Sequence, residues 1–108
     1  MLKVDTSTLT DVINQCFDYS MDGRFDLNQQ SAFLAEGKRP RGLLLNLLSA
    51  QFDDATPAVL KANKQLDAVN TSLSNATAVL ARTVQTLNEI AALVGNLDKL
   101  LNVAASFI

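Results

Sequence analysis

The chain contains no histidine and one cysteine, Cys16. Without imidazole it lacks the side chain that titrates nearest neutral pH and the commonest metal ligand. Cys16 likewise has no base to draw off its proton and make a nucleophile. One cysteine forms neither an intrachain disulfide nor a thiolate cage. Set among apolar residues at helical spacing, it reads as a small buried hydrophobe. The acids are scattered. Asp53 and Asp54 precede a helix start, where they complement the positive end of its dipole. Asp18 and Asp22 lie one turn apart on a solvated face, and a carboxylate site across Asp18, Asp22 and Asp26 is the metal arrangement this spacing would allow. No glycine-rich phosphate loop or nucleotide fingerprint occurs. The expectation is a protein that is not an enzyme, with no cofactor and no resident metal.

The densest charge is Lys38, Arg39 and Arg41, set between Gly37 and Gly42 with Pro40 inside. Beside a helix N-terminus these cations would contact a phosphate or an acidic partner. The plainer reading is a solvated interhelical loop. Three cations without interleaved aromatics, in a chain of net charge -2 and pI about 4.8, make a poor nucleic-acid surface.

The elements that must carry these residues are helical. The chain is 48% hydrophobic and 6% aromatic, with two prolines and four glycines. A core of Leu, Val and Ala suits helix-on-helix packing, and so few turn residues disfavour an all-β fold. A first helix is expected to open at Ser7 or Thr8, with Asp11 completing a weak capping box. Its apolar stripe is Leu9, Val12, Ile13, Cys16 and Phe17, and Gly23 suits a left-handed C-cap. A second helix is expected from Leu27 to Glu36 with Asp26 as N-cap. A third runs from Pro40 to Phe52, with proline in its first turn and leucines nearly all round, as in a helix buried on several sides.

The segment from Thr56 onward dominates the pattern. Thr56 suits the N-cap and Pro57 the first helical position. From Val59 an unbroken alternation of three and four steps runs through Ala62, Leu66, Val69, Leu73, Ala76, Leu80, Thr83, Leu87, Ile90, Val94, Leu97, Leu101, Ala104 and Ile108. Thr83 is its one polar member. Seven heptads in phase predict one long coiled-coil-like helix, although Asn70–Asn75 has poor helix propensity and is the place for a fold-back. Toward the C-terminus the apolar face widens to include Val84, Leu93, Leu100 and Phe107.

The expected fold is therefore all-α: a region of three short helices (1–55) packed on one long helix (56–108), a single domain overall, assembled as a helical-bundle oligomer. The short helices cannot cover the whole long one. An interface is thus expected at Leu80, Val84, Leu87 and Ile90, at Leu93, Val94, Leu97 and Leu100, and at Leu101, Ala104, Phe107 and Ile108. The implied partner is a second copy, or another protein meeting the C-terminal helix. The function that follows is a small oligomerising scaffold, adaptor or assembly subunit. A membrane-active or lipid-surface helical protein is the alternative, since the tail from Leu97 is amphipathic, though Lys99 is a meagre basic face for it. A nucleic-acid-associated regulator comes after that. Met1–Leu9 has neither the basic nor the apolar region of a signal peptide, and no apolar run approaches the ~20 residues of a membrane span, so a cytoplasmic location is expected.

Overall fold

The computed structural model describes residues 3–50, 52 and 57–105, with side chains described through residue 102. Its elements are all helical: α1 (Thr6–Ser20), α2 (Leu27–Ser49), α3 (Pro57–Ser74), a 3-10 turn (Leu80–Arg82) and α4 (Thr83–Ala105). The expected Thr56 cap and the Asp53–Ala55 boundary lie outside the described residues.

Helix α1 starts earlier than expected because Asp5, not a Thr8–Asp11 box, caps it. The Asp5 carboxylate accepts the Thr8 N–H at 3.1 Å and the Thr8 hydroxyl at 2.8 Å, which satisfies an otherwise orphaned donor of the first turn. At its far end no glycine cap is used. Met21 donates its N–H to the Asp18 and Tyr19 carbonyls, and no described glycine takes a positive φ. The turn to α2 is instead held by Arg24, whose guanidinium meets the Asp22 carboxylate at 2.6 Å. Asp26 then caps α2 as expected, and Gln29 returns its side chain to the Asp26 N–H to complete a capping box.

Two expected short helices, 27–36 and 40–52, are one helix. Pro40 lies inside α2, where the missing N–H and the ring clash disfavour the helix by ~3 kcal/mol or more. Tertiary burial offsets this. Phe33, Gly37, Pro40, Leu44 and Leu47 fall on one line of the helix, and all but the half-buried Leu44 are buried. Burying Phe33 and Leu47 contributes about 1.5–3 kcal/mol each, which is comparable with the proline penalty. Gly37 is also where α1 comes closest. A Cβ there would lie 3.1 Å from the Cys16 Cβ and 3.1 Å from the Phe17 ring.

The expected single helix over 56–108 is broken. Helix α3 stops at Ser74, residues 75–79 turn, and α4 returns beside it. The polar run expected to weaken the helix coincides with its end, where its side chains add to the bonding of the last carbonyls. Ser74 Oγ donates to the Asn70 carbonyl (2.9 Å) and Asn75 Nδ2 to the Thr71 carbonyl (3.1 Å). The unbroken heptad phase is equally at home in this hairpin. Ser72 pairs with Glu89 at 2.9 Å, and Asn96 with Gln65 at 2.7 Å. Each pair is symmetric about the Leu80–Ala81 bond, so two turns down one arm match two turns up the other.

Two antiparallel hairpins, α1–α2 and α3–α4, therefore lie side by side. Helix α1 packs on α2 and α3, and α4 packs on α2 and α3, which leaves α1/α4 and α2/α3 as diagonals. Polar ties show α1 and α3 running parallel. Asn63 accepts the Asp5 N–H (2.8 Å) and donates to the Lys3 carbonyl (3.1 Å), Gln15 donates to Asn70 (2.6 Å), and Tyr19 donates its hydroxyl to the Leu73 carbonyl. Residues 3–5 are thus tied to α3, and Val4 is buried. The rings of Tyr19, Phe25 and Phe33 pack with centroids 4.9–5.4 Å apart. The bundle measures 44 × 21 × 19 Å.

Candidate interaction surfaces

The C-terminal face expected to meet a partner is largely used within the chain. Ile90, Leu93, Val94, Leu97 and Leu100 are buried, and Leu87 and Leu101 pack half-buried against them. Folding back places both α2 and α3 against α4, which supplies the cover that a single long helix would have lacked. Leu80 and Val84 stay exposed, at 42% and 64%. Phe107, Ile108 and the side chain of Ala104 lie outside the described residues. Thr83, the polar member of the seam, is buried and donates its hydroxyl to the Leu80 carbonyl at 2.6 Å. It satisfies itself on its own turn.

The basic residues are not in a loop, which corrects the expected placement beside a helix N-terminus. Lys38, Arg39 and Arg41 lie mid-way along α2 and are exposed. Arg39 approaches Glu36 at 3.6 Å, and the Arg41 guanidinium lies over the Phe17 ring at 5.8 Å from its centroid. Lys38 and Arg41 share a row with Leu34, Leu45 and Leu48, one step round the helix from the buried line. Leu45 is 80% exposed and Leu48 50%. This half of α2 was expected to be buried on several sides, but among the described elements α2 packs only on α1 and α4. The row's four-and-three spacing was present in the sequence. Its apolar members were indistinguishable there from core.

A second apolar surface is at one end of the bundle. The helix directions bring together the α1–α2 link and the α3–α4 turn, and with them Met21, Leu27, Val79, Leu80 and Val84, all exposed. The bundle is about 20 Å across, so these five residues lie at one end of it, on both hairpins.

Nothing described resembles acid–base machinery. Cys16 is fully buried, and desolvation, with the Glu36 carboxylate adding, pushes its thiol up to about 12, so it is neutral and shielded near pH 7. Asp22 is engaged with Arg24, and Asp26 with its cap. Among the described residues no three metal-ligating side chains converge. Two open pockets flank the α3–α4 hairpin. One, of about 160 Å³, has Ser72, Arg82 and Thr86 in its wall. The other, of about 200 Å³, has Lys61 and Lys99 beside the Gln65–Asn96 pair. No described helix is long and apolar enough to cross a membrane. Comparison of the chain with protein-family models, with curated proteins and with solved structures finds no match.

Proposed function

We propose that the chain is a small non-enzymatic helical module, an oligomerising scaffold or adaptor that acts through helix–helix contacts. The observation that carries this reading is the gathering of Met21, Leu27, Val79, Leu80 and Val84, all exposed, on one end of the bundle. Exposed apolar side chains gathered at one end of a bundle are candidates for a contact surface. Among the described members of the expected C-terminal interface, Leu80 and Val84 are the ones that remain exposed. A second copy meeting this end would bury them in a closed, isologous contact.

Light scattering on a size-exclusion peak tests the proposal. The parent should exceed the monomer mass at micromolar concentration. The double variant Leu80→Lys, Val84→Lys should run as a monomer with unchanged helicity, because both side chains are outside the core. A monomeric parent would refute self-association, and an unchanged mass in the double variant would remove this end as its site.

A further inference from the structure

We infer that the outer row of α2, Leu34, Lys38, Arg41, Leu45 and Leu48, docks on an anionic lipid surface. This goes beyond self-association and uses a different face. The row spans fourteen steps of helix, about 21 Å, and joins three exposed leucines to two exposed cations. Arg39 is directed to Glu36 and is not counted. Helix α2 carries three cations and one acid, a local charge of +2 within a chain of net charge -2. At physiological salt, charges beyond about 8 Å are screened, so an approaching surface meets the local sign rather than the net one.

Charge and shape together select the occupant. A second copy packed row to row about a twofold axis would bring Arg41 against its own mate at the row's centre, a like-charge contact that a desolvated interface disfavours. An anionic partner is required. A partner helix seated between α1 and α2 would need an open groove there, and beside the cations that seam is closed. At Gly37 the two helices approach so closely that even a methyl group would crowd Cys16 and Phe17. The row is therefore a ridge flanked by a closed seam. A ridge suits a deformable planar surface, where leucines enter the acyl boundary while Lys38 and Arg41 lay their stems along it and reach lipid phosphates with their heads.

Flotation with phosphatidylcholine vesicles, with and without phosphatidylserine, tests this. The parent should float with the phosphatidylserine vesicles, and less so as salt rises. Each cation near such a surface contributes about fivefold in partitioning, so Lys38→Gln with Arg41→Gln should lower it about twenty-fivefold. Leu45→Ser with Leu48→Ser should lower it at least tenfold. Both double variants alter exposed positions, and circular dichroism should show them folded. Absence of binding to phosphatidylserine vesicles would overturn the inference, as would binding that neither double variant weakens. Binding of an acidic leucine–glutamate helical peptide in place of vesicles would assign the row to a protein and also overturn it. The light-scattering mass of Lys38→Gln, Arg41→Gln should equal the parent's, which keeps this test separate from that of self-association.

Discussion

Gly37 and Gly42 lie five residues apart in α2, and the bundle assigns them opposite responses to the same substitution. Neither glycine has a positive φ, so alanine fits the backbone at both, and a helix interior favours alanine over glycine by about 0.8–1 kcal/mol. At Gly42 a Cβ would meet nothing within 4 Å, so Gly42→Ala should stabilise by about that amount. At Gly37 the same atom would lie 3.1 Å from the Cys16 Cβ and from the Phe17 ring, against an ordinary carbon–carbon contact of about 3.5–4.0 Å. Phe17 is half-buried and can swing outward. The Cys16 Cβ is fixed to the α1 backbone, so α1 itself must retreat. Overpacking of this kind costs about 1–3 kcal/mol, which cancels or exceeds the propensity gain and leaves Gly37→Ala neutral to about 2 kcal/mol less stable. The two variants should therefore differ by about 1–3 kcal/mol, and 1 kcal/mol corresponds to about 4–8 °C in Tm for a domain near this size. Thermal and urea unfolding followed by circular dichroism measures both. Equal stabilisation by the two alanines would refute the close α1–α2 seam, and with it the argument that the α2 row is a ridge rather than a groove.

Thr83→Val should change stability by less than about 1 kcal/mol in urea unfolding, because the hydroxyl serves only the Leu80 carbonyl, which also accepts the Thr83 N–H; a large loss would mean a partner elsewhere. Stability should fall in acid with a definite origin. Hydrogen bonds from Arg24 hold the Asp22 carboxyl down at about 2, and bonds from Thr8 lower Asp5. Because the folded pKa of each is below the unfolded value near 3.9, their contribution is complete above about pH 4 and is lost as pH falls through the folded value. Urea midpoints measured down this range should show the loss, and Asp22→Asn should flatten it in part. A parent whose midpoint is constant from neutral pH to about pH 2 would contradict the two contacts.

The sequence alone determined that this chain is helical and where two of its helices, α2 and α3, begin, because those signals are local. Apolar periodicity marked Leu9, Val12, Ile13 and Cys16 as a buried stripe, Asp26 as a cap and Pro57 as a first helical residue. Each of these depends on neighbours within one or two turns. Tertiary structure decided what those helices do with one another. Pro40 is a helix starter by local rule, but the continuous line from Phe33 to Leu47 could be buried only if the helix ran through it. The heptad phase across Asn70–Asn75 fits a straight helix and a symmetric hairpin equally, since both place every third and fourth residue on the seam. What separates them is the cover that α3 gives α4 when the chain folds back, and no local pattern carries that information. The same choice settled the surfaces. It drew Ile90 to Leu100 inward, left Leu80 and Val84 at the end, and exposed the α2 leucines beside Lys38 and Arg41, because which leucine of an all-round apolar helix faces water depends on how many helices surround it.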